Sequence, residues 1–61
     1  MAALRNFVSE VYQDFDGVWV GTVQEYVDGR KAGYDINSFA SQGEARDWAY
    51  REAVRAQALA A

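Results

Sequence analysis

Val11-Tyr12-Gln13-Asp14-Phe15-Asp16-Gly17-Val18-Trp19-Val20 is the stretch on which the fold turns. A type I′ hairpin turn needs positive φ at both central residues, and Asp-Gly is one of the few dipeptides that supply it. The Val, Tyr, Phe and Trp residues on either side favour extended backbone. A second Asp-Gly, Asp28-Gly29, follows after Tyr26-Val27. Two such turns divide the chain into three strands, 6–15, 18–27 and 30–39, connected as a β-meander.

A second periodicity competes in the first segment. Leu4, Phe7, Val8, Val11, Tyr12 and Phe15 fall at helical spacing with polar residues between them, which would give an α-β-β-α domain. The strand is preferred because the segment is rich in Phe, Val and Tyr, has no N-cap residue, and runs directly into an Asp-Gly turn.

After Phe39 the composition changes to Ala40-Ser41-Gln42-Gly43-Glu44-Ala45-Arg46-Asp47-Trp48-Ala49. Ser41 and Glu44 form a Ser-x-x-Glu capping box, so a helix is expected over 42–59, carried by alanine, the best helix former. Asp47 and Arg51 stand at i,i+4 on its solvent side. The fold class is α+β: one three-stranded antiparallel meander with one C-terminal helix packed on one face, as a single domain over 1–61.

Two-residue turns fix the register, with Phe15 opposite Val18 and Val27 opposite Arg30. One face then carries Val8, Tyr12, Trp19, Gly21, Val23, Val27, Ala32, Tyr34 and Ile36. The other carries Phe7, Val11, Phe15, Val18, Val20, Tyr26 and Phe39 among Ser9, Gln13, Thr22, Gln24, Lys31, Asp35 and Asn37. The helix is expected on the first face through its stripe Ala45, Ala49, Ala53, Ala56 and Ala60, with Trp48 and Leu59 beside it. Gly21 marks the point where Trp48 comes near. Trp19, Tyr34, Ile36 and Trp48 would form the core, and the second face would stay open.

Composition narrows the chemistry. The 61 residues include three Phe, four Tyr and two Trp and are 51% hydrophobic, which fits a folded domain rather than a disordered tail. There is no Cys and no His, so the thiolate nucleophile, the usual general base and the commonest metal ligands are missing. The chain reads as a non-enzyme with no cofactor and no metal. Asp14-Phe15-Asp16 could hold a cation, but Asp16 is better explained by the Asp-Gly turn. Asp28-Gly29-Arg30-Lys31 is explained by the second turn with solubilising charge beside it. No glycine falls in a phosphate-binding loop pattern ahead of a helix. No apolar run resembles a signal peptide or reaches the ~20 residues of a membrane span, so a cytoplasmic location is the expectation. The net charge of −3 leans against a phosphate-tracking surface.

From Phe7 to Ala53 the sequence resembles two families. Val11-Tyr12-Gln13-Asp14-Phe15-Asp16-Gly17-Val18-Trp19-Val20, the Gly29-Arg30-Lys31 hairpin, and Phe39-x-Ser41-x-x-Glu44-Ala45-x-x-Trp48 look like the arm-binding N-terminal domains of tyrosine integrases. That likeness implies a sheet that reads DNA, with Gln13, Thr22, Gln24, Arg30, Lys31 and Asn37 facing it, although Gly43-Glu44 stands where basic residues are usual. The same stretch resembles the partial ribonuclease-H-like domain of HicB-type antitoxins, where a hairpin and third strand lead to an alanine-rich helix beginning Glu-Ala. In size and character the chain is similar to short acidic phage proteins, including some anti-CRISPRs, that inhibit a host complex.

These readings converge on a non-enzymatic binding module, a phage or mobile-element accessory protein that binds and inhibits or redirects a host protein, in the bacterial host cytoplasm if phage-encoded. The expected contact residues are Phe7, Phe15, Tyr26 and Phe39 on the open face, with Tyr50 and Val54 on the outer side of the helix. DNA binding through the sheet is the alternative, and self-association into a homo-oligomer is a further expectation.

Overall fold

The computed structural model describes residues 4–60. Strands β1 (Arg5–Gln13), β2 (Trp19–Val27) and β3 (Arg30–Phe39) form one antiparallel sheet in the order β1-β2-β3, followed by helix α1 (Gln42–Ala60). The segment with two competing periodicities is therefore a strand. No helix among the described residues is long and apolar enough to cross a membrane.

The second hairpin has the expected two-residue turn. Asp28 and Gly29 both hold positive φ, 51° and 83°, and Val27 pairs with Arg30. The first hairpin is built differently. Asp14 N donates to Val18 O at 2.9 Å, Gly17 N donates to Asp14 O at 3.1 Å, and Gly17 has φ 81° while Asp16 does not share its positive φ. This is a type I turn over Asp14–Gly17 completed by a left-handed glycine, giving a three-residue loop. The Asp14 carboxylate reinforces it, with Oδ1 accepting from Asp16 N at 2.9 Å and from Val18 N at 3.0 Å. Asp14, not Asp16, is thus the residue that organises the turn.

One extra loop residue moves β1 one place along β2, so that Gln13 pairs with Trp19 and Tyr12 with Val20. Because side chains alternate with period two, a one-residue slip turns the whole strand over. Phe7 and Val11 consequently lie on the helix side, and Val8 and Tyr12 project from the opposite face, the reverse of the expected assignment.

A second slip occurs in β3. Tyr26 pairs with Lys31 but Glu25 pairs with Gly33, which leaves Ala32 as the extra residue of a β-bulge. Beyond it Phe39 stands opposite Trp19 on the helix side, and Tyr34 and Ile36 point away from the helix. Tyr34 and Ile36 are therefore not core residues. Only β2 keeps its expected facing throughout, with Trp19, Gly21 and Val23 toward the helix.

Helix α1 begins where the capping box places it. Ser41 Oγ accepts from Glu44 N at 3.2 Å and donates to Glu44 Oε1 at 2.9 Å, so the Glu44 carboxylate engages the hydroxyl rather than the Ser41 backbone. Ala45 and Ala49 are buried and Ala53, Ala56 and Ala60 half-buried, which confirms the alanine stripe as the packing surface. Leu59, expected beside the stripe, is exposed. Gly21 is the point of closest approach: a Cβ there would lie 2.8 Å from Ala45 O and 3.1 Å from Trp48 Cε3. The Trp48 ring in turn packs against Phe39, with centroids 5.8 Å apart. The helix lies over β1 and β2 and only lightly over β3. Gln57 Nε2 donates to Arg5 O at 3.1 Å and ties its far end to the start of β1.

Candidate functional site

The face of the sheet away from the helix is built in four cross-strand rows: Asn6-Tyr26-Lys31, Val8-Gln24-Tyr34, Glu10-Thr22-Ile36 and Tyr12-Val20-Ser38. Large apolar side chains dominate its outer strands. Val8 is 38% exposed, Tyr12 48%, Ile36 53% and Tyr34 61%. On the central strand, Val20 and Thr22 are buried beneath these neighbours without any help from the helix. Thr22 Oγ1 is enclosed there with no hydrogen-bond partner.

The long polar side chains of this face are engaged with one another. Gln24 Nε2 donates to Glu10 Oε1 at 2.9 Å, the Tyr26 hydroxyl donates to Gln24 Oε1 at 2.9 Å, and Lys31 Nζ lies 5.1 Å from the centre of the Tyr34 ring. The Lys31 contact has cation–π geometry. The face is thus an apolar surface crossed by a short polar network of Glu10, Gln24 and Tyr26.

A second feature sits at the end of the sheet. Phe15, the first residue of the three-residue loop, is wholly exposed. Its loop is fixed from below by the two Asp14 side-chain bonds and by Gln13 Nε2 donating to Gly17 O at 3.0 Å. An apolar ring with no packing partner is thereby held on a rigid support.

On the helix side, the light coverage of β3 leaves a groove of about 250 Å³ lined by Phe7, Glu25, Asp35, Glu52, Arg55 and Leu59 among others. Two of these carboxylates meet arginines: Arg5 Nε lies 3.0 Å from Glu25 Oε2, and Arg55 bonds Glu52 along the helix. Glu25 Oε2 is buried, and Arg5 Nε–H is not aligned on it as a hydrogen bond, so the pair is held by charge proximity. No group of three or more metal-ligating side chains occurs among the described residues.

The residues expected to make contacts are dispersed by the two slips. Phe7 and Phe39 are half-buried on the helix side, Tyr26 lies on the open face, Phe15 stands on its loop, and Tyr50 and Val54 are exposed on the helix. Of the side chains suited to base edges, Thr22, Gln24 and Lys31 share the open face, while Gln13, Asn37 and Arg30 take the other facing. The structure adds Val8, Tyr12, Tyr34 and Ile36 to the open face, all of which the two-residue-turn register assigns to the interior or to the helix side. The signal for Val8 and Tyr12 was local, since Asp at the first and Gly at the fourth position of Asp14-Phe15-Asp16-Gly17 is the preference of a type I turn, whereas Tyr34 and Ile36 are re-faced by the bulge at Ala32.

No protein-family model, curated protein or solved structure matches this chain.

Proposed function

We propose that this chain is a non-enzymatic binding module, a phage or mobile-element accessory protein that binds a host protein and inhibits or redirects it. The observation that carries this reading is Phe15. A wholly exposed aromatic ring on a loop locked by the Asp14 carboxylate contributes nothing to packing within the chain. Rigid aromatic anchors of this kind dominate the energetics of protein–protein contacts, because they bury a large area at small cost in conformational entropy.

Tyr50 and Val54, exposed on the outer face of the helix, supply further apolar contact area, and the net charge of −3 favours a protein with a basic surface. The bacterial cytoplasm is the compartment this reading implies. The test pairs the tagged chain with its Phe15→Ala variant in host lysate. A protein retained by the first and lost from the second is the expected result. Identical retention by both, or retention of nothing, refutes the proposal.

A further inference from the structure

The chain exposes more surface than its mass accounts for. Its accessible area is 4540 Å², whereas a folded monomer of 6.8 kDa is expected to expose about 3950 Å². The surplus is about 600 Å² per chain. The radius of gyration is 12.5 Å, against about 10.5 Å for a compact domain of this length. The open sheet face contributes to this surplus, since Val8, Tyr12, Tyr34 and Ile36 are all exposed on it. Two chains together hold a surplus of about 1200 Å², the lower bound of a stable specific interface.

We infer that the open sheet face is the contact between two copies of this chain, packed face to face about a two-fold axis into an α-β-β-α sandwich. Val8, Tyr12, Tyr34 and Ile36 would supply the apolar contact, and aligned sheets of this kind pack about 10 Å apart. Gln24, Glu10 and Tyr26 on this face already bond one another, and Thr22 Oγ1 is enclosed before any second copy arrives, so covering the face adds no new cost there.

Charge selects the direction of the axis. Glu10 lies on the β1 edge of the face and Lys31 on the β3 edge. An axis parallel to the strands lays β1 over the second copy's β3 and brings Glu10 and Lys31 to a common rim. An axis across the strands lays β1 on β1 and lines two Glu10 carboxylates along one rim. The strand-parallel axis therefore keeps the two Glu10 carboxylates apart and puts Glu10 on one rim with Lys31, two rows away, and it sets Val8 over the second copy's Tyr34.

Sedimentation equilibrium of the full chain from micromolar to millimolar concentration tests this. Twice the 6.8 kDa chain mass is expected for the wild type and for Val54→Glu, whose site is on the outer helix. Ile36→Glu, which places a charge in the contact twice per dimer, weakens association by about 100-fold or more. Isotope-filtered NOEs between the Ile36 and Val8 methyls of one copy and tyrosine rings of a differently labelled copy give a readout that needs no variant. A monomer at millimolar concentration overturns the inference, as does a dimer insensitive to Ile36→Glu that shows no inter-copy NOE on this face. A monomer whose capture of another protein fails on Ile36→Glu assigns the face to that protein instead. Phe15→Ala leaves the doubled mass unchanged, so loss of the host contact and loss of the dimer are separable results.

Discussion

Gly21 sits where the helix comes closest to the sheet, and a single methyl group there measures that approach. In Gly21→Ala the new Cβ meets Ala45 O at 2.8 Å and Trp48 Cε3 at 3.1 Å, inside the ~3.5–4 Å at which carbon contacts become favourable. Neither neighbour yields easily. The carbonyl belongs to the first turn of the helix, and the indole is packed against Phe39. The helix must lift, and the contacts of Ala45 and Ala49 loosen with it. Overpacking of this kind costs about 1–3 kcal/mol. It is opposed by the reduced freedom of the unfolded chain, about 0.4–1 kcal/mol for Gly→Ala.

Gly33→Ala isolates the opposing effect, because nothing lies within 4 Å of its added Cβ and its backbone is not left-handed. The difference between the two variants is then the clash itself, about 2 kcal/mol, or ~8–16 °C in melting temperature for a domain of this size. Thermal unfolding followed by circular dichroism and Trp fluorescence at one fixed protein concentration reads it directly. Gly33→Ala is expected to melt at or above the wild type and Gly21→Ala well below. Melting temperatures within ~2 °C of each other would refute the close approach of α1 to β2.

Asp14→Ala removes the acceptor of two backbone N–H groups, one of them part-buried, and is expected to cost about 1–3 kcal/mol, with faster amide exchange at Asp16 and Val18. Ser41→Ala removes the N-cap acceptor of Glu44 N and should cost about 1 kcal/mol in urea unfolding. Asp47→Ala breaks only an exposed i,i+4 pair with Arg51 and should stay within ~0.5 kcal/mol of the wild type. Phe15→Ala should leave stability within ~0.5 kcal/mol, since the ring is wholly exposed. A larger loss would show that Phe15 packs within the chain and would remove it as a contact residue.

The elements were legible because each has a local cause. Ser41 and Glu44 start the helix, the alanines and Gly21 name its packing stripe and its landing point, and Asp28-Gly29 forms the turn its dipeptide specifies. The faces of β1 and β3 were not legible, because each depends on one inserted residue. Asp16-Gly17 offers a two-residue turn, but Asp14 two places earlier offers a three-residue loop that also satisfies the N–H groups of Asp16 and Val18. The hydrophobic pattern does not arbitrate in β1. Phe7 and Val11 lie on one face and Val8 and Tyr12 on the other, so either register buries two large apolar residues. The turn decides, and with it the composition of the open face.

In β3 the pattern does take a side, and it is not the side observed. The expected register would put Tyr34 and Ile36 toward the helix and Phe39 away from it. The bulge at Ala32 does the opposite and sets Asp35 and Asn37 on the helix side instead. Part of the reason is that α1 covers β3 only lightly, so polar side chains there remain in solvent and only Phe39, beside Trp48, gains a partner. The rest of the reason lies on the other face. Leaving Tyr34 61% and Ile36 53% exposed forgoes about half of the ~1.5–3 kcal/mol that full burial of a large apolar side chain supplies, and within one chain only the packing of Phe39 on Trp48 is set against it. Covered by a second copy of the face, Tyr34 is buried against Val8 and Ile36 lies diagonal to Tyr12. Under the proposed packing the bulge, which looks unfavourable in a single chain, becomes the feature that gathers all four large apolar side chains into one contact surface.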